Sequence, residues 1–213
     1  MAKTKPFDEN RELYEQWFIK NDYVYKSELK AIRHFIPKQG RGVEIGIGSG
    51  LFAKPLGINN GIDPSEQMAE LAKKRGLDVV RGVAENLPFE DNSYEFALMV
   101  TTICFVDSPE KSLREVFRIL RENGSFILAF VDKESTVGRE YLKMKKKSIF
   151  YRDAVFFSTD ELLSLLSETG FEDFEIVQTV FGSLDDVKGI QNFKPGYGDG
   201  SFVVISAKKM MKP

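Results

Sequence analysis

The sequence predicts an α/β domain: a mostly parallel sheet with helices on both faces and an antiparallel last strand. Three observations predict it. Strand-like runs alternate with helix-like stretches over the first 131 residues, an order that makes strands parallel with right-handed crossovers. The first run, Val43 to Ile45, stops at three glycines spaced two apart, Gly46, Gly48 and Gly50. The last two runs, Phe171 to Val180 and Ser201 to Ala207, are joined without an intervening helical pattern, which pairs them antiparallel.

The elements follow in order. Residues 1–6 read as a polar tail, and residues 8–36 read as helical, with apolar faces at Leu13, Trp17 and Phe18 and at Leu29, Ile32 and Phe35. Asn21-Asp22 breaks that run in two, and Pro37, Gly40 and Gly42 end it. After the glycine loop comes a helix starting near Leu51, then a short second strand ending at Asp63. Pro64 holds Asp63 extended, and Ser65 caps the next helix. Leu77 to Arg81 is a third strand, and Phe96 to Val100 a fourth that continues into Thr101-Thr102. Pro109 suits the first turn of a helix that Asn123-Gly124 closes, and Ser125 to Val131 is strand five. Ser158 to Glu161 carries a capping signature before a leucine-rich helix ended by Gly170. The strands number seven.

Composition narrows the function. The 213 residues carry 42% hydrophobic and 29% charged residues, enough for one globular domain. A net charge of −2 gives no electrostatic case for a nucleic-acid partner. One cysteine, Cys104, and one histidine, His34, cannot build a Cys/His zinc site, so no metal is expected. The lone cysteine fits a reducing cytoplasm, and no apolar run reads as a membrane span or a signal peptide. Either a monomer or a homodimer is compatible with these features.

A glycine loop after a strand cradles a nucleotide-like ligand. The dinucleotide fingerprint needs a glycine at position 51, where this chain has Leu51, and Glu44 inside the motif is ill-suited to pyrophosphate. A carboxylate there suits a ligand with a cationic end. Asp63, at the tip of strand two, is placed to take both hydroxyls of a ribose.

Four pieces in order, Glu44-Ile-Gly46-Ile-Gly48-Ser-Gly50, Gly61-Ile-Asp63-Pro-Ser-Glu-Gln-Met68, Gly82-Val-Ala-Glu-Asn-Leu-Pro-Phe89 and Leu113 to Leu120 leading to Gly124-Ser-Phe-Ile-Leu128, resemble the class I S-adenosylmethionine-dependent methyltransferases. The chain looks like their short, single-domain, small-molecule branch over residues 10–208. The resemblance implies a Rossmann-like, seven-stranded sheet, a helical cap over 1–36, and a methyltransferase domain over 37–213 with an insertion near 132–157. It implies S-adenosylmethionine as cofactor. Gly46, Gly48 and Gly50 would pass its methionine and ribose close to the backbone. Glu44 would sit beneath the loop near the ammonium group, and Asp63 would hold the ribose. Ser65 and Met68 would border the adenine, with Val83, Ala84 and Glu85 at its edge. Thr101 would approach the methionine end, and Tyr14 or Trp17 would cover the cofactor. Two departures stand out. Val83 replaces the usual Asp of the adenine loop, and Cys104-Phe105 stands where relatives often carry two histidines.

No residue is marked as catalytic. Methyl transfer needs alignment of an acceptor lone pair and exclusion of water, and a neutral amine needs no strong base. With one poorly placed histidine, a small-molecule amine is the favoured acceptor; Asp107, Asp132, Asp153 and Tyr151 are candidate proton acceptors. The rivals are an NAD-dependent oxidoreductase, a non-catalytic S-adenosylmethionine-binding module, and a macromolecular substrate engaged through Lys143, Lys145, Lys146 and Lys147.

Overall fold

The computed structural model describes residues 3–210. Three helices precede the sheet: α1 (Lys5–Glu9), α2 (Arg11–Lys20) and α3 (Asp22–Phe35). The break at Asn21 is where expected; its side-chain amide donates to the Trp17 carbonyl at 2.9 Å, closing α2. The polar tail is shorter than expected, because α1 already begins at Lys5 with Pro6 in its first turn, a position where a missing N–H costs nothing.

The alternating part runs β1 (Gly42–Ile45), α4 (Ala53–Leu56), β2 (Asn60–Asp63), α5 (Glu66–Lys74), β3 (Asp78–Arg81), β4 (Tyr94–Val100), α6 (Pro109–Ile119) and β5 (Leu120–Val131). There follow α7 (Thr136–Met144), a 3-10 turn at Lys145–Lys147, α8 (Thr159–Thr169), β6 (Phe171–Phe181), β7 (Lys194–Pro195) and β8 (Gly200–Lys209). One sheet holds all of them, in the order β3-β2-β1-β4-β5-β8-β6-β7. β1 to β5 are parallel, and β8 is antiparallel to both β5 and β6.

Three expectations are corrected. The strands number eight, because Lys194 and Pro195 pair with Gln178 and Val177 at the edge of the sheet. Only two residues pair, and one is a proline, so no alternating pattern announces the strand. Helix α6 ends at Ile119, not at Asn123-Gly124; those two residues sit in an irregular start of β5, whose regular pairing with β4 begins at Phe96 and Ser125. Strand β4 stops at Val100 because Thr101 turns to φ +47°, a left-handed conformation that a β-branched residue rarely adopts.

Alternate side chains of the sheet feed two cores. Phe96, Leu98, Val100, Ile127, Ala129, Phe202 and Val204 pack with residues of α3, α4 and α5. Val43, Ile45, Ala97, Met99, Phe126, Leu128, Val203 and Ile205 pack with residues of α6 and α8. Both faces are therefore covered, which is why these strands read as continuous apolar runs. Helix α8 opens with a capping box: the Ser158 hydroxyl accepts from the Glu161 N–H, and the Glu161 carboxylate accepts from the Ser158 N–H. Because β1, β2 and β4 are parallel, the loops after their carboxyl ends gather at one edge of the sheet.

Candidate active site

A cavity of about 680 Å³ opens at that edge. Its floor is the glycine loop. Gly46, Gly48 and Gly50 all have positive φ, at +71°, +55° and +82°. The Gly46 and Ile47 N–H groups donate to the Ile62 carbonyl at 2.8 and 3.0 Å, tying the loop to β2. A side chain at Gly46 would collide with Thr102, and a Cβ at Gly48 would fill the space under the Tyr14 hydroxyl, 3.4 Å away. Gly48 thus leaves bare backbone facing the cavity, as a bound ligand needs. Gly50 faces away from it, against Leu77 and Ala72.

Asp63 lines the cavity at the tip of β2. Its Oδ2 accepts from the Gly48 N–H and its Oδ1 from the Ser65 N–H, both at 2.8 Å. Burial raises its pKa to about 6, opposed by those two backbone donors. The residue joins the glycine loop to the start of α5, where Ser65 caps by accepting from the Met68 N–H at 3.1 Å. Glu44 lies beneath the loop, 1% exposed and outside the cavity wall. Burial pushes its carboxyl well above the usual range; the Ala53 N–H works against this shift and Asp63 with it. Its Oε2 has no hydrogen-bond partner.

Met68, Val83, Ala84 and Glu85 form the adjoining wall. Glu85 also accepts from the Asp107 and Ser108 N–H groups, at 2.6 and 3.2 Å, which ties the loop over 82–89 to the start of α6. Thr101 is held in its unusual conformation by donating to the Ala129 carbonyl at 2.8 Å and accepting from Cys104 Sγ at 3.1 Å. Its turn brings Thr102, read from sequence only as a continuation of strand four, into the wall as well.

Helices α1 and α2 roof the cavity. Tyr14 and Trp17 line it, so that of the site residues expected from sequence, all but Glu44 and Gly50 lie on its wall. Phe7 is the centre of the roof, with ring centroids 5.9 Å from Tyr14, 5.1 Å from Phe105 and 5.3 Å from Phe150. Tyr151 stacks on Tyr141 at 4.8 Å and on Phe105 at 5.9 Å. Polar ties hold the roof down. Ser65 donates to Asp8 at 2.5 Å, Arg11 donates to Gln67 at 2.6 Å, and Glu15 accepts from both Ser49 and Arg75.

Sequence reasoning missed Glu28, Phe7 and Tyr141, which lie on the cavity wall together with Phe18, Phe105 and Phe150. The signal for Glu28 was present: it falls on the buried stripe of α3 with Val24, Ala31 and Ile32, where an acid is out of place. Among the candidate proton acceptors, Asp132 is committed to Thr159 and to the Glu134 N–H, and Asp153 is exposed. Asp107 and Tyr151 do lie on the wall. Cys104 is buried and its thiol is pushed up to about 12, which keeps it protonated and inert as a nucleophile. His34 is exposed and rests on Phe35 and Phe193, away from the cavity. No cluster of His, Cys, Asp or Glu able to hold a metal occurs among the described residues, and no helix among them is long and apolar enough to cross a membrane.

The residues fit S-adenosylmethionine. The orphaned Glu44 Oε2 is an acceptor in want of a donor, Gly48 leaves a bare cradle, and Asp63 presents a carboxylate to the same space. Comparison with known proteins agrees. The family described as "Methyltransferase domain" matches residues 43–128. An uncharacterized protein of Methanocaldococcus jannaschii is 43% identical over 204 residues, 96% of this chain and 98% of that one. One from Mycobacterium tuberculosis is 34% identical over 163 residues, 74% of this chain but only 57% of that one. A crystal structure from Thermotoga maritima, described as a "SAM-dependent methyltransferase, possible histamine N-methyltransferase", superposes with a TM-score of 0.94 at 52% identity, covering 97% of this chain and 99% of that one. With the glycine loop, the Asp63 junction and the roofed cavity all in place, this chain belongs to the S-adenosylmethionine-dependent methyltransferases of class I.

Proposed function

We propose that the enzyme methylates a nitrogen of a small amine. The observation that carries this reading is the composition of the cavity beyond the cofactor-side residues. Its wall there includes Phe18, Val131, Tyr141, Phe150 and Tyr151, with one carboxyl, that of Glu28, and no histidine. Burial raises the pKa of Tyr14, Tyr141 and Tyr151, so these phenols keep their protons and cannot act as bases. The remaining carboxyl is far too weak a base to ionise an alcohol, whereas an amine carries its own lone pair once it has lost a proton. The name of the Thermotoga maritima relative, which mentions histamine, supports the same acceptor class.

S-adenosylmethionine supplies a methyl group on a sulfonium: the new N–C bond forms as the C–S bond breaks and its electron pair passes to sulfur. The chain's own residues bind and orient. In this reading Asp63 accepts from the ribose hydroxyls, and Glu44 receives the ammonium through water. Gly46 and Gly48 admit the ligand to the backbone, while Ser65, Met68, Val83, Ala84 and Glu85 border the adenine. Thr101 flanks the methionine end, and Tyr14 and Trp17, with α1 and α2, exclude water. A volume of about 680 Å³ lies within the roughly 300–1,000 Å³ of single-ligand pockets and favours a small molecule over a macromolecule. The lone, buried cysteine is in keeping with a reducing, cytoplasmic setting.

The test is a methyl-transfer screen over small amines, phenols and carboxylic acids, reading S-adenosylhomocysteine release. N-methylated product is expected. Methylation of phenols or acids with none of amines would overturn the reading.

A further inference from the structure

Resting on the amine reading above, we propose that Glu28 is the acceptor-binding carboxylate, which receives a proton from a small primary ammonium in the aromatic half of the cavity. Glu28 belongs to α3, a helix that otherwise packs on the sheet, and lies on its buried stripe. It is 7% exposed and lines the cavity. Its carboxyl has no hydrogen bond or ion pair among the described residues, and burial alone raises its pKa, to about 8. A buried acid without a partner in the protein is completed from the cavity it faces, by water or by a ligand. The rings of Tyr14, Tyr141 and Tyr151 feel its charge and share its cavity. A carboxylate among aromatic rings is the chemistry that selects a cationic amine.

The proton balance is simple. Above about pH 8, where Glu28 is ionised, the ammonium gives one proton to its carboxylate, leaving a neutral amine and a neutral acid. In a low-dielectric site this neutral pair is favoured over two buried charges. The freed nitrogen lone pair takes the methyl group and the nitrogen becomes a secondary ammonium. Glu28 releases its proton to solvent as the product leaves.

Calorimetric titration of phenethylamine, tyramine and histamine into the complex with S-adenosylhomocysteine tests the assignment, with 2-phenylethanol as the uncharged control. At least one amine is expected to bind the wild type, while Glu28→Gln loses at least tenfold in affinity for it and about 100-fold in kcat/KM. Glu28→Asp recovers part of both, and S-adenosylhomocysteine affinity stays within twofold throughout. Amine binding and turnover unchanged in Glu28→Gln would overturn the role of Glu28 while leaving the amine reading intact. Loss of S-adenosylhomocysteine binding in that variant would also overturn it, showing a structural role. Wild type that binds none of the three amines, or binds the alcohol equally well, overturns the amine reading and this assignment with it.

Discussion

Asp63 shows how much one carboxylate can organise. It holds the Gly48 and Ser65 N–H groups and faces the cavity at the same time. Asp63→Ala removes a charged acceptor and slackens the glycine loop. Calorimetry should show S-adenosylmethionine binding weakened by about 2 kcal/mol, the scale of hydrogen bonds to a charged group. Unchanged affinity would count against the ribose assignment. Thr101 is the other residue whose local cost makes sense only at the site: its left-handed backbone carries Thr102 to the cavity wall, a strain of order 1–3 kcal/mol held by the surrounding sheet.

Helix α2 was legible as a helix, but its station over the glycine loop was not. That station depends on Glu15, which accepts from Ser49 of the loop and Arg75 at the end of α5. The ion pair is about a quarter exposed, with side chains at 29% and 26%. Glu15→Ala should weaken S-adenosylhomocysteine binding by about 1 kcal/mol and raise hydrogen exchange across α2 while leaving the sheet protected. Equal exchange in both proteins would show that the aromatic contacts of Phe7, Tyr14 and Phe18 hold the roof by themselves. Helix α8 is the contrasting element: its Ser158–Glu161 box is written in neighbouring residues and formed as read.

For the molecule as a whole, buried acids set the pH response. The folded-state pKa of Glu28 is about 8 against an ordinary 4.5, and that of Asp63 about 6 against 3.8; Glu44 is raised as well. A raised carboxyl binds its proton more tightly when folded, so the stability it contributes is present at low pH and is lost as pH rises through the folded value. The groups facing Glu28, namely Tyr14 from α2, Tyr25 from its own helix, Tyr141 from α7 and Tyr151, all have raised pKa values and stay neutral in this range. Scanning calorimetry of the ligand-free protein should therefore show Tm falling from pH 5 to pH 9, and Glu28→Gln should flatten the upper part of that slope. A Tm that is level or rising between pH 6 and pH 8.5 would contradict it.

By itself the sequence determined the strand–loop–helix order, the glycine loop, Asp63 and the capped helices, because each rests on neighbouring residues: a periodicity, a turn, a cap. The family and its cofactor followed from those local pieces. Tertiary structure alone decided what lines the aromatic half of the cavity. Glu28 on α3, Phe7 on α1, Phe105 after β4 and Tyr141 with Tyr151 near α7 are far apart along the chain and meet only when the sheet closes beneath the roof. The two-residue strand β7 was invisible for a related reason, since its register is set by β6 and not by any pattern of its own. Local chemistry wrote the glycine-loop side of the cavity; packing between distant elements made its aromatic half.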